Sequence, residues 1–223
     1  MDVQFTKDNI AVLTMNNGQN RIDYSFVERF NQMLDQVERN SDCIALVTTG
    51  RGKFFSNGLD LEWAISAYEN FNSFVSLLKR IITLPLPTIA AINGHAFAGG
   101  AFIALCHDLR VMQSDKGWMS WNEIHIKATF TEPLYKLLQV KIAPGPVQTQ
   151  AILFGKRFTA QEAMSAQLVD DVTTMTNLMD DSLRLARKTA GIGGFDRFTL
   201  SALKNDIYKD FTTCVLGKIR SML

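Results

Sequence analysis

The sequence predicts a single α/β domain, and three observations carry that reading. Short β-branched apolar runs alternate with stretches whose apolar residues recur at helical spacing. The 223 residues suffice for one well-buried core. No linker, tandem repeat or low-complexity tract interrupts them.

In chain order, residues 3–6 (VQFT) and 10–15 (IAVLTM) are β-rich and separated by Lys7-Asp8-Asn9, which predicts a hairpin. Asp23 is placed to cap a helix whose apolar residues Phe26, Phe30, Met33, Leu34 and Val37 share a face. CIALVTT (43–49) suits a buried strand, and GRGKFFSNGLD (50–60) reads as a glycine-punctuated loop. A long helix is expected over 61–82, with Phe71, Phe74, Val75, Leu78 and Ile82 on one stripe, and Pro85 and Pro87 end it. TIAAIN (88–93) is a further buried strand. A turn then leads to a helix that starts near Ala98-Gly99-Gly100 and runs to about His107.

LRVMQ (109–113) and WMSWN (118–122) predict two short strands. Beyond residue 130 the pattern turns helical: Pro133 opens one helix, and Pro144 and Pro146 another. Thr159 and Glu162 form a capping box before AMSAQ, and VDDVT (169–173) is a last short strand. Two helices are expected over 177–190 and 195–220, separated by Gly191-Ile192-Gly193-Gly194. Residues 1–190 would form the core and 191–223 a helical segment of the same domain.

Composition narrows the function classes. Hydrophobic residues make up 47% and charged residues 20%, an ordinary globular balance. A net charge of +1 without any basic run lacks the footprint of a nucleic-acid binder. No apolar run approaches the ~20 residues of a membrane span, and the first residues lack a signal-peptide pattern. Cys43, Cys106 and Cys214 are sparse and read as reduced thiols, which points to the cytoplasm. The final Ser221-Met222-Leu223 is a weak version of a peroxisomal address, with methionine where a basic residue is read. His95, His107 and His125 have no metal-like spacing, and no metal or redox cofactor is expected.

Two loops carry the chemistry. Glycines at a helix start let unpaired backbone N–H groups face a bound anion closely. Gly94, Gly99 and Gly100 do not space as a dinucleotide fingerprint, and tight helix–strand packing explains such a pair equally well. FFSNGLD supplies a second glycine between a strand and a helix, although Asp60 also serves there as a helix cap. Together the two loops could aim N–H groups at one oxygen.

Gly52-Lys53-Phe54-Phe55-Ser56-Asn57-Gly58-Leu59-Asp60, the run from Pro87 to Gly100, Asp108 and Ala160-Gln161-Glu162-Ala163 together resemble the crotonase superfamily. The likeness runs over about residues 3–190 in consistent order. It implies the crotonase (ClpP-like) fold, a spiral of ββα units with a helical C-terminal trimerisation region, and assembly as homotrimers or hexamers. It also implies an acyl-CoA substrate whose thioester oxygen is gripped by the amides of Leu59 and Gly99. Backbone groups around Phe55 and Asn57 would contact the adenine, and Gly58, Asp60 and Gly100 are expected among the residues that bind the acyl-CoA. Coenzyme A then arrives as part of the substrate.

Within that family a hydratase uses two glutamates, and the position of the first is Phe102 here. Phenylalanine carries no proton. The second falls near Glu123, with Asn122 the simplest gapless match, and the Asn-Glu pair resembles monofunctional Δ3,Δ2-enoyl-CoA isomerases. One carboxylate can move a proton from C2 to C4 if the enolate oxygen is held. On a strand continuing through 123, Glu123 would share a face with Met119 and Trp121, where apolar surroundings raise its pKa. Phe102, Trp121, Trp118, Leu61 and Trp63 are candidate walls of an acyl pocket, and Glu132 is a backup acid. The reading is isomerisation of 3-enoyl-CoA to trans-2-enoyl-CoA in fatty-acid breakdown. Thioester hydrolysis, a hydratase-like step, or an inactive acyl-CoA-binding scaffold are the alternatives.

Overall fold

The computed structural model describes residues 1–217. Strands β1 (Asp2–Phe5) and β2 (Ile10–Met15) pair antiparallel as a hairpin. Asp23 then accepts a hydrogen bond from Phe26 N at 2.7 Å and starts helix α1 (Tyr24–Arg39), which buries Phe26, Phe30, Leu34 and Val37.

From here the chain winds as a spiral. One turn contributes β3 (Ala45–Gly50), β4 (Phe54–Ser56), α2 (Leu61–Ser66) and α3 (Tyr68–Ile82). The next contributes β5 (Thr88–Ile92), β6 (His95–Phe97) and α4 (Gly99–Cys106). A third begins with β7 (Leu109–Gln113) and β8 (Met119–Ser120), then a short 3-10 helix over Glu123–Ile126. Longer strands enter a six-stranded sheet of order β1-β2-β3-β5-β7-β9, parallel from β2 onward, with β9 spanning Asp171–Thr173. The short strands stack as a second, parallel sheet of order β4-β6-β8.

This second sheet corrects the expectation of plain loops over 50–60 and between TIAAIN and the glycine pair. Three-residue strands such as β4 and β6 are too short to leave a periodic signal, whereas β8 falls within the strand expected over 118–122. The expected helix over 61–82 also breaks, because Ala67 is extended (φ −152°, ψ 145°). Asn70 stabilises the break by donating from its side chain to Trp63 O at 2.8 Å and to Ser66 Oγ at 3.0 Å.

Helix α5 (Glu132–Lys141) opens with Pro133 in its first turn, and Pro146 begins α6 (Pro146–Gln148), which continues as a π-helical turn to Leu153. Thr159 and Glu162 form the expected capping box on α7 (Ala160–Ser165). Helix α8 (Leu178–Ala190) covers the outer face of the large sheet. The expected helix over 195–220 divides at Tyr208 into α9 (Arg197–Ile207) and α10 (Lys209–Thr212). Tyr208 turns out of the helix to lie under the Lys141 ammonium, 5.2 Å from its ring centre.

These last elements dock on the core instead of standing apart. Lys204 Nζ reaches Asp108 Oδ2 at 2.6 Å and Leu86 O at 2.8 Å, while Phe211 and Leu216 join the main core. No helix of the described residues is long and apolar enough to cross a membrane. Ser221-Met222-Leu223 lies outside the described residues.

Candidate active site

The short parallel sheet ends in three consecutive turns at one edge. After β4 come Asn57 to Leu59, after β6 come Ala98 and Gly99, and after β8 come Asn122 and Glu123. Parallel strands set their carboxyl ends side by side, so groups distant in sequence meet in one crevice. The crevice holds a cavity of about 280 Å³ whose wall includes Leu59, Gly99, Glu123, Asn57 and Phe102.

Backbone geometry determines where the two amides point. Ile22 N donates to Gly58 O and Asp60 N donates to Ile22 O, both at 2.9 Å, so Leu59 turns its own N–H away from Ile22. Gly58 makes that turn possible at φ +81°, and a Cβ there would stand 2.9 Å from Phe97 O. On the second loop, Ala98 N donates to Ser120 O at 2.9 Å and the residue adopts φ 46°, ψ −118°. A non-glycine residue in this region stores strain of order 1–3 kcal/mol. Gly99 follows as the first residue of α4, where a helix leaves its amide without an internal acceptor. A methyl group on Gly99 would sit 3.3 Å from Leu59 N, so the two amides border one gap.

Glu123 occupies the facing turn. It opens the 3-10 helix, where Ala128 N bonds Glu123 O at 3.0 Å and Lys127 closes the turn at φ 58°. The strand expected to carry it ends at Ser120, yet Glu123 is only 8% exposed. Its Oε2 has no hydrogen-bond partner among the described residues. Burial pushes its carboxyl up from 4.5 to about 7. It is the one carboxylate in the cavity wall among the described residues. Asn122 beside it also lines the cavity, with its Oδ1 buried and unpartnered.

The remaining sequence candidates separate. Asn57 reaches the wall, and its N–H is taken by Gln19 O at 3.0 Å. Phe55 is fully buried in the core, and Asp60 caps α2 by accepting from Trp63 N at 3.0 Å. Gly58 supports the loop from behind. Gly100 serves packing: a Cβ there would lie 2.2 Å from Ser56 O, so the start of α4 rests directly on β4. Trp121 lies behind Phe102, ring centres 6.2 Å apart, and not on the cavity surface. Leu61 lies at the mouth, whereas Trp63 is absent from the wall. Trp118 stands on the outer face of the small sheet with His95, at 5.1 Å, under Arg157. Glu132 is exposed at the start of α5. His107 is buried between Ile103 O and Thr48 Oγ1, where burial lowers its pKa to about 4.

Sequence reasoning did not assign Arg21, Phe97, Ala98 or Phe130 to the cavity, and it read Phe71 and Phe74 only as a core stripe. Nothing in a helical stripe distinguishes a residue packed on a neighbour from one facing a void. The assembled arrangement offers two fixed N–H donors and one carboxyl near neutrality, flanked by aromatic walls. Such a set can hold a developing oxyanion and move a proton beside it.

Comparison with known proteins matches residues 6–213 to the family model described as enoyl-CoA hydratase/isomerase. Enoyl-CoA delta isomerase 3 of Arabidopsis thaliana is 39% identical over 133 residues, which is 56% of this chain and 56% of that protein. Peroxisomal enoyl-CoA delta isomerase 2 of the same plant is 31% identical over 82% of each chain. A putative enoyl-CoA hydratase of Thermus thermophilus is also 31% identical, over 91% of this chain and 90% of that one. The apo structure of an Mtb enoyl-CoA isomerase superposes with a TM-score of 0.85 at 28% identity, covering 95% of this chain and 92% of that chain.

Proposed function

Because the chain belongs to the enoyl-CoA hydratase/isomerase family, we propose that it isomerises 3-enoyl-CoA to trans-2-enoyl-CoA. The observation that carries this reading is the pairing of one carboxyl, Glu123, with a phenylalanine, Phe102, in the same cavity. A carboxyl held near pH 7 by burial is matched to taking up and returning a proton at working pH.

The substrate enters with its thioester oxygen between the N–H groups of Leu59 and Gly99. Glu123 removes a proton from C2, and the electrons move into the dienolate, whose oxygen carries the charge. The two amides need no reorganisation to hold it, which makes them more effective than water. Glu123 then returns the proton at C4, and the double bond lies between C2 and C3. No water is consumed, in keeping with an apolar residue at 102. Coenzyme A arrives attached to the substrate, with no separate cofactor. Exposed Phe198, Leu203 and Ile207 on α9 support assembly through the C-terminal helices as homotrimers or hexamers.

An assay on 3-hexenoyl-CoA tests this reading, with the product identified by mass and absorbance. The wild type should form trans-2-hexenoyl-CoA, and Glu123→Gln should lose ~10²-fold or more of that rate. A normal rate in the variant would sink the mechanism. The Thermus relative favours a second reading to be tested alongside: a hydratase-like enzyme given trans-2-hexenoyl-CoA in a parallel assay would accumulate 3-hydroxyhexanoyl-CoA.

A further inference from the structure

Burial changes steadily along the cavity. Arg21, Leu61, Ile126 and Thr129 are exposed at the cavity mouth, whereas Phe71, Phe74 and Leu134 are buried and give it a closed apolar side. An acyl thioester placed with its carbonyl at Leu59 and Gly99 and its coenzyme A at the exposed mouth then has Phe71 and Phe74 as the buried apolar wall for its tail. These two rings stand edge to face, centres 6.2 Å apart, and fill the inner side of α3. Leu134, from the first turn of α5, closes the remaining side.

This end wall is held from outside. Tyr68 Oη, on α3, donates to Leu216 O at 2.6 Å, and Lys79 Nζ, near its other end, donates to Cys214 O at 2.6 Å. Both ends of the helix are thereby clipped to the chain that follows α10. A wall fixed in this way cannot swing aside cheaply for a longer ligand, because packed interiors resist volume change. At about 280 Å³, the cavity lies at the lower end of the range for small-molecule sites, and its near part is already taken by the reacting atoms.

We infer that Phe71 and Phe74, backed by Leu134, set an upper limit on acyl length, so that the enzyme takes short and medium chains and discriminates against long ones. The inference rests on the proposed placement of the thioester between Leu59 and Gly99. A long tail must either leave through the mouth, losing contact with apolar wall, or displace a phenylalanine ring.

Calorimetric binding of hexanoyl-, decanoyl- and palmitoyl-CoA tests the limit without requiring turnover. It is run beside kcat/KM for the matching 3-enoyl-CoAs. Wild-type protein should bind palmitoyl-CoA at least about tenfold more weakly than decanoyl-CoA. Phe74→Ala should narrow that ratio about tenfold, chiefly through affinity and KM rather than kcat. Phe74→Leu, a smaller change, should move it in the same direction and decides the matter if Phe74→Ala does not fold. Equal binding of decanoyl- and palmitoyl-CoA by the wild type, or an unchanged ratio in a folded variant, would overturn the limit. If binding follows chain length as expected but no 3-enoyl-CoA is isomerised, the limit stands and the proposed reaction fails.

Discussion

Gly99 stands so close to Leu59 that a methyl group on the glycine would lie 3.3 Å from the Leu59 amide nitrogen. The next glycine is confined differently, since a methyl on Gly100 would lie 2.2 Å from Ser56 O. One added carbon intrudes on the gap between two amides; the other collides with a strand. Gly99→Ala also approaches Ile22 Cδ1 at 3.0 Å, the movable end of a side chain, so that variant should fold. It should lose ~10²-fold in kcat by crowding the oxyanion position. Gly100→Ala should instead be insoluble, or destabilised by several kcal/mol, because neither backbone can yield. Circular dichroism with steady-state rates separates the cases, and a soluble, fully active Gly100→Ala would refute the packing argument.

Glu123 links catalysis to pH. The base must be ionised, so kcat/KM should rise with pH and level off above about 7. Stability should run the other way. The folded carboxyl holds its proton up to about 7 and the unfolded one releases it near 4.5. The resulting stabilisation is present below 4.5 and is lost as pH rises through about 7, a change of about 3 kcal/mol across that window. Glu123→Gln cannot ionise, so its stability relative to the wild type should increase over the same window. Urea denaturation of both proteins at several pH values measures it. Curves that stay parallel from pH 4 to 8 would show that the carboxyl is solvated in the folded state.

The long strands, the hairpin, the capped helices and the capping box were legible because each spans enough residues to show its period or its cap. Asp23 and Thr159 are the clear cases. The small sheet was only partly legible: WMSWN marked β8, but β4 and β6, of three residues each, left no signal, and yet the sheet aligns the three site turns. Family resemblance supplied Leu59, Gly99 and Glu123 without showing what brings them together. The positive φ of Ala98 gave no sign: it accompanies the bond from Ala98 N to Ser120 O and runs against alanine's own preference. Phe71 and Phe74 fitted a core stripe and are fully buried in the core, and only the tertiary structure shows that they also border the site cavity.

The C-terminal helices are tied to the spiral by a buried charge. Lys204 Nζ lies 2.6 Å from Asp108 Oδ2, which also accepts from Thr88 N at 2.8 Å and from Thr88 Oγ1 at 3.0 Å. Removing the lysine leaves a carboxylate with neutral donors alone, in a site where Lys204 is only 6% exposed. Lys204→Ala should cost about 3 kcal/mol and loosen α9. Hydrogen exchange should show faster exchange in 197–212 than elsewhere. A loss spread evenly over the large sheet would contradict a local tether.

Phe102 provides a test of why Glu123 titrates where it does. Its ring is fully buried, edge-on to Trp121 at 6.2 Å and to Phe130 at 5.8 Å, and it forms part of the wall that keeps water from the carboxyl. Desolvation is the leading cause of the raised value of about 7, so water admitted by Phe102→Ala should lower it toward 4.5. The truncation should cost about 3–5 kcal/mol of stability, the usual range for a buried phenylalanine. The rising limb of kcat/KM should move down by at least about one pH unit, while kcat falls because a base of lower pKa removes the C2 proton less readily. Water admitted there can also add to C3 of the trans-2-enoyl-CoA product, giving a 3-hydroxyacyl-CoA that mass analysis would detect. An unmoved pH limb in the folded variant would mean that the cavity wall does not control the proton affinity of Glu123.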